Sequence, residues 1–111
     1  MDNTPVLHIV GVRCEPQVEE KFVKWYTEVH IPLIFKFKGL NKATCTRVIK
    51  SSEEYPEYLS IFEFENKQAF LDYEESPELA AAAVERDETW KEVGWDRMWR
   101  VQYEVLKTWS K

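Results

Sequence analysis

Two segments of the chain, residues 5–13 and 57–65, carry apolar side chains on both faces of a predicted strand. In the first segment Val6 and Val10 alternate with Leu7, and the second repeats this pattern with aromatic and aliphatic residues. A strand that is apolar on both faces is typical of a sheet that is covered on both faces. Any fold for this chain must therefore supply a cover on each side of its sheet.

The chain alternates between segments with the period of a strand and segments with the period of a helix. Pro16 suits the first turn of the first helix, and Pro32 is expected to end or kink it. Asn66 is a suitable N-cap for the next helix, and Ser76 with Pro77 starts another helical stretch. The predicted strands are residues 5–13, 42–50, 57–65 and 97–107, and the predicted helical stretches are 16–30, the one after Asn66, and 78–93.

The order of these elements is β-α-β-β-α-β. With right-handed crossovers, two β-α-β units form a four-stranded antiparallel sheet with both helices on one face, which is the α+β ferredoxin-like plan. The length of 111 residues predicts a single domain over residues 1–111. Because the plan leaves the second sheet face bare, the apolar strands predict that two copies pair their sheets in a homodimer, a dimeric α+β barrel with a cavity between the sheets.

The composition excludes several classes of function. With 15 basic and 20 acidic residues the formal net charge is −5, so neither nucleic acid nor an anionic membrane is expected as a partner. The first residues lack the pattern of a signal peptide and no apolar stretch is long enough for a membrane span, so we expect a cytoplasmic protein with free cysteines. Only three glycines occur and the Cys and His residues are scattered, so no phosphate loop, metal site or cofactor is expected.

A longer pattern of aromatic residues, His, Pro and Gly is the most specific feature of the sequence. It is carried by Trp25, Tyr26, His30, Pro32, Leu33, Gly39 and Leu40. Through these residues the segment 22–49 resembles the EthD-like family of the dimeric α+β barrel superfamily, and residues 58–78 look like its third strand and following helix. The resemblance implies a ferredoxin-like protomer, a homodimer and a pocket for a small molecule. The wider superfamily includes cofactor-independent monooxygenases, polyketide cyclases, lactone isomerases and haem-degrading enzymes.

Two histidines and one tyrosine are the candidate catalytic residues. Phe22, Tyr26 and His30 are spaced four residues apart, so one row of the first helix presents all three. At a helix C-terminus His30 either has its charged form favoured by the dipole, as an acid or base near neutral pH, or simply bonds the free carbonyls. His8, on the first strand, either points into the barrel or is a core histidine on the helix side. Tyr26 would be the hydrogen-bond donor beside either base.

Four further residues are candidates for binding a substrate. Trp25 and Phe22 belong to an excess of aromatic residues, 5 Trp, 5 Tyr and 6 Phe, some of which we expect to line a pocket or an interface. Arg47 and Arg100 lie in mid-strand, where an unpaired charge is expensive. They bind a substrate carboxylate or enolate, or they form ion pairs across strands. The glutamates available for such pairs are Glu63 and Glu104.

Two functions fit this pattern, and the sequence leaves the choice between them open. The first is cofactor-independent acid/base catalysis on a small apolar or aromatic molecule, of cyclase, isomerase or monooxygenase type, with His30 or His8 as the base and Tyr26 as its partner. The second is a non-catalytic pocket that holds a small ligand or assists a partner enzyme. A third outcome is a dimer interface that uses all the aromatic residues and leaves no usable pocket.

Overall fold

The computed structural model describes residues 3–51, 53–91 and 94–111. The predicted end of the last helical stretch, at Glu92 and Val93, lies outside these ranges. The regular elements are β1 (Val6–Cys14), α1 (Glu19–Trp25), α2 (Ile31–Ile34), β2 (Leu40–Arg47), β3 (Tyr58–Phe64), α3 (Lys67–Glu74), α4 (Pro77–Thr89) and β4 (Trp95–Glu104). No helix in the described ranges is long and apolar enough to cross a membrane.

The four strands form one sheet in the order β2-β3-β1-β4, and every neighbouring pair is antiparallel. β1 and β3 are the central strands, and the register of β1 places Val6 between Phe64 of β3 and Glu104 of β4. β1 and β2 are joined by helices and separated by β3, which is the ferredoxin-like arrangement. The predicted fold class is therefore confirmed.

Alternation along the central strands decides which face the helices cover. On β3, Tyr58, Ser60, Phe62 and Phe64 are buried, whereas the residues between them are only half-buried. The buried side packs on the helices, where the ring of Phe64 lies 5.5 Å from that of Phe70 on α3. We call the opposite side the outer sheet face; it carries the half-buried Leu7, Ile9, Leu59 and Ile61 and the exposed Trp99 and Tyr103.

The first helical segment continues beyond residue 30, so of the two effects expected of Pro32, ending the helix does not occur. A 3₁₀ turn at Pro16–Val18 leads into α1, a π-helical turn over Tyr26–His30 follows, and α2 then continues to Ile34. Pro32 lies in the first turn of α2, and the wider turn before it accommodates a residue that donates no N–H. His30 is therefore inside a continuous helical segment and not at a helix C-terminus.

A β-bulge interrupts β4 near its start. Trp99 pairs with Gly11, whereas the next paired residue of β4 is Arg97, so Met98 is the extra residue. An extra residue shifts the alternation of the strand by one. As a result Arg97 and Arg100, which are three residues apart, face the same side of the sheet and line the same cleft.

Candidate functional site

A cleft of about 470 Å³ lies between the sheet and the helices. Strands β1, β3 and β4 form its floor, and the π-helical turn, α2, α3 and α4 provide its walls. The sequence predicts a cavity between two paired sheets, whereas this cleft opens on the helix side of a single chain. Its polar lining residues are His8, Tyr26, His30, Tyr73, Glu74, Arg86, Asp96, Arg97 and Arg100, and its apolar ones are Val10, Val12, Ile34, Phe62, Phe70, Leu79 and Trp95.

His8 faces the helices, which is the second of the two alternatives that the sequence leaves open, and on that side it lines the cleft. Its side chain is buried, and its ring lies 5.1 Å from the ring of Phe70. Its Nδ1 is 2.9 Å from Nε2 of Gln102; with that amide donating, Nδ1 is the acceptor and the proton of the neutral ring is on Nε2. Burial, with the charges of Arg100 and Arg97 adding to it, lowers the pKa of His8 to about 4.

His30 is held in the π-helical turn by ring stacking. Its ring lies 4.7 Å from that of Trp25 and 5.6 Å from that of Tyr26. Burial is the main cause that lowers the pKa of His30 to about 4; Arg86 adds to it and Glu85 opposes it. The expectation of a charged form favoured by a helix end is thus wrong. Nδ1 of His30 is buried and has no hydrogen-bond partner among the residues that the structure describes.

Tyr26 presents a neutral phenol to the cleft. Oγ of Ser60 donates a hydrogen bond of 2.9 Å to its hydroxyl oxygen. Burial raises the pKa of Tyr26 to about 12, although the bond from Ser60 opposes the shift. Because the serine donates, the phenolic proton of Tyr26 remains available to an acceptor in the cleft. The role of Tyr26 as a donor beside a base stays a prediction.

Phe22 and Trp25, predicted to bind a substrate, lie behind the cleft wall and do not line it. Phe22 is fully buried, and its ring stacks 5.1 Å from that of Tyr26. Trp25 donates through Nε1 to Oε1 of Glu85 at 2.7 Å and supports the ring of His30 from behind. Their role in this geometry is to hold Tyr26 and His30 in position, and the prediction of direct contact was wrong.

The two predicted arginines have different surroundings. Arg100 lines the cleft, as predicted. Arg47 lies outside it, with its guanidinium 5.5 Å from the centre of the Tyr58 ring. Over the described ranges the salt bridges join Arg13 with Asp96 and Arg86 with Asp87. The cross-strand ion pairs expected for Arg47 and Arg100 with Glu63 and Glu104 are therefore not formed.

Two cleft residues, Arg86 and Arg97, escaped the sequence analysis. Arg86 is on α4, and the packing of that helix beside the sheet brings it to the site. In a regular strand Arg97 would face the side of the sheet opposite to Arg100 and the cleft. The bulge at Met98 turns it to the cleft side. A bulge carries no signal in this sequence, so Arg97 could not be identified from strand alternation alone.

One group of side chains has the composition of a metal site, at the start of the first helical segment. The candidate ligand atoms of Cys14, Glu19 and Glu57 lie within 4.8 Å of one another. They already bond with their surroundings, because Cys14 donates to Glu57 at 3.7 Å and the hydroxyl of Tyr58 donates to Glu19 at 2.7 Å. Burial and the nearby glutamates raise the pKa of Cys14 to about 11, so its thiol stays protonated and is a poor ligand.

The fold and the cleft define the class of the protein. It is a ferredoxin-like α+β protein whose cleft has the size of a small-molecule site. Residues 6–91 match the family described as a domain of unknown function, DUF4286, and the chain belongs to this family. No curated protein sequence is significantly similar to it.

Several solved structures share the fold at low sequence identity. An EthD family protein from Bacillus halodurans C-125 is 15% identical, with a TM-score of 0.64 over 95% of this chain and 99% of that one. A dimeric ferredoxin-like protein of unknown function from Thermobifida fusca YX is 16% identical, with a TM-score of 0.67 over 95% and 94%. Hydroxynitrile lyase from Passiflora edulis is 15% identical, with a TM-score of 0.71 over 98% and 100%. The resemblance to the EthD-like family is thereby confirmed at the level of the fold.

Proposed function

We propose that the cleft binds a small, largely apolar or aromatic molecule and catalyses cofactor-independent proton transfer on it, in a reaction of cyclase, isomerase or monooxygenase type. One observation carries this proposal: two neutral imidazoles, His8 and His30, and the neutral phenol of Tyr26 line one cleft that also has apolar walls. A base and proton donors in one cleft are what acid/base catalysis requires.

The chemistry of each group suggests its role. His30 lines the cleft and is the candidate base, and its buried Nδ1 has no hydrogen-bond partner among the described residues. The phenolic proton of Tyr26 can be donated to the oxygen on which negative charge develops. His8 accepts from Gln102 at Nδ1 and carries its proton on Nε2, so in this arrangement it is a second proton donor. A pKa of about 4 keeps His30 unprotonated near neutral pH, and developing negative charge beside it raises its proton affinity during the reaction.

The test measures proton exchange and binding in the same samples. The native chain is incubated in heavy water with a panel of aromatic ketones and dicarbonyl compounds, and deuterium uptake is followed by NMR. We expect catalysed exchange for at least one compound, and a rate about 10²- to 10⁴-fold lower in His30→Gln. Tyr26→Phe should slow exchange as well, whereas Tyr55→Phe, which changes an exposed tyrosine elsewhere, should not.

A non-catalytic binding module, or an accessory protein for a partner enzyme, is the second candidate. The bonds from Gln102 to His8 and from Ser60 to Tyr26 favour it, because they engage two of the three candidate groups structurally. Compounds that shift the tryptophan fluorescence or the NMR spectrum of the chain but show no exchange would replace the catalytic proposal with this one.

We also propose that the outer sheet face pairs with a second copy of the chain. The exposed fraction is 41% for Trp99 and 54% for Tyr103, a large apolar exposure for a monomer surface. A similar solved structure is described as dimeric. Light scattering of the native chain should give twice the chain mass. Ile61→Lys, on the outer sheet face, should give the mass of one chain, whereas Val84→Lys on the exposed side of α4 should leave the doubled mass unchanged. A single mass for the native chain contradicts the pairing.

The state of the two cysteines bears on the cellular compartment in which the chain works. We propose that the chain works in the reducing cytoplasm, because both Cys14 and Cys45 are free thiols. Fractionation of cells that produce the chain, with trapping of its thiols, tests this point. Recovery of the chain with oxidised thiols from an extracytoplasmic fraction would contradict it.

A further inference from the structure

We infer that the molecule bound in the cleft carries a carboxylate, and that Arg97 and Arg100 of β4 hold it, with Arg86 of α4 facing them. This inference deepens the proposed function and rests on it, because it names the chemical class of the ligand. The geometry comes from two separate elements: the bulged strand β4 brings two guanidiniums to the floor of the cleft, and α4 brings the third to its wall.

The carboxylates near the cleft do not neutralise this cluster. Two acidic residues line the cleft, Glu74 and Asp96. Asp96 is already paired with Arg13, at 3.0 Å, and Arg86 has Asp87 at 3.1 Å. Arg97 and Arg100 form no salt bridge with any residue in the described part of the chain. In a chain with 20 acidic and only 15 basic residues, a pair of uncompensated arginines in one cleft indicates a site for an anion.

The arrangement works against the stability of the chain itself. Arg97 is partly desolvated and lies in the field of Arg100 and Arg86, and these causes lower its pKa. Like charges held close together in a fold are typical of sites where a ligand supplies the opposite charge. A guanidinium also fits a carboxylate with two parallel hydrogen bonds, which gives the ligand a fixed orientation.

The arginines also lie within electrostatic reach of the proposed reacting groups. The charges of Arg100 and Arg97 contribute to lowering the pKa of His8. Arg97 likewise acts to lower the pKa of Tyr26, and Arg86 acts to lower that of His30. A carboxylate held on β4 would therefore leave the rest of the ligand beside these groups. The apolar walls, Phe62, Phe70 and Leu79, suit an aromatic or aliphatic body. The inferred ligand is thus an apolar or aromatic carboxylic acid.

The experiment compares naphthoate with naphthamide, which has nearly the same shape but no charge. Isothermal titration calorimetry measures the dissociation constant of each probe for the native chain, Arg97→Gln, Arg100→Gln and Lys42→Gln. Lys42 is an exposed residue of β2 outside the cleft, and its substitution changes the net charge by the same amount. Arg97 and Arg100 are exposed enough that their variants should fold, which far-UV circular dichroism checks.

We expect the native chain to bind naphthoate at least about tenfold more tightly than naphthamide. Either arginine substitution should weaken naphthoate binding by about 10- to 100-fold and change naphthamide binding by less than about twofold, whereas Lys42→Gln should change neither. Equal affinities that no arginine substitution alters would overturn the carboxylate site but leave the binding cleft intact. If Lys42→Gln reduces the preference for naphthoate over naphthamide as much as the arginine substitutions do, the preference comes from the overall charge of the chain and the carboxylate site is overturned. Binding of neither probe would overturn this inference, whereas the proposed function is decided separately by the deuterium-exchange experiment.

Discussion

Acidification should destabilise the fold through its two histidines well before the carboxylates are protonated. His8 and His30 each have a pKa of about 4 in the folded chain, against 6.5 when unfolded. Below about pH 6.5 the unfolded chain therefore binds two protons that the folded chain does not, so stability falls as the pH falls towards 4. The loss is complete once the pH lies below the folded value.

The size of the effect follows from the two shifts. At about 1.4 kcal/mol per pKa unit, each histidine lowers the free energy of unfolding by about 2 kcal/mol at about pH 5, and by about 3 kcal/mol when the titration is complete. The two together approach the whole stability of a typical small domain, which is about 5–15 kcal/mol. Between about pH 6.5 and pH 5 most carboxylates are still charged, so the histidines dominate this window.

Urea unfolding followed by circular dichroism at several pH values within that window measures the loss directly. In His30→Phe, which keeps an aromatic ring against Trp25, the dependence on pH should be about half as steep. Long-range ¹H–¹⁵N NMR spectra report the pKa of each imidazole independently. If either histidine titrates at or above about pH 6.5 in the folded chain, the argument from burial is refuted for that residue.

Three further substitutions test separate parts of the structure. Gly11→Ala should lower the free energy of unfolding by about 1–3 kcal/mol in urea, because a Cβ there would lie 2.6 Å from Cγ of Pro56; an unchanged value would mean that the strand yields easily. Asn66→Ala should lower it by about 1 kcal/mol, because the side chain caps α3 with a 2.8 Å bond to the backbone N–H of Ala69, and Asn66→Asp should retain most of that contribution. Arg97→Gln should raise the melting temperature by about 1–3 °C by relieving repulsion among the cleft arginines, whereas a clear decrease would indicate a structural role.

The sheet could be predicted from the sequence because its signals are local. Alternation on the central strands places residues 5–13 and 57–65 close to the observed β1 and β3, and the element order then leaves the ferredoxin-like arrangement as the simplest topology. The N-cap at Asn66 and the helix start at Pro77 were also correct, because capping depends on residues that are neighbours in the chain.

The candidate site was only partly predictable, for three physical reasons. The rule that Pro32 ends a helix does not anticipate a π-helical turn, and that turn alone removes His30 from a helix end. The face of the sheet that the helices cover is decided by packing, so the surroundings of His8 could not be chosen in advance. Two of the three arginines that charge the cleft, Arg86 and Arg97, were missed because their presence there requires a tertiary contact and a bulge.

Successive residues of β1 face opposite sides of the sheet, and this has an evolutionary consequence. His8 and Val10 line the cleft, whereas Leu7 and Ile9 belong to the outer sheet face. Adjacent side chains of a strand never share a face, so an inherited change in one set leaves the other set in place. Descendants of such a chain can acquire a new ligand while keeping their mode of assembly, or acquire a new mode of assembly while keeping their ligand.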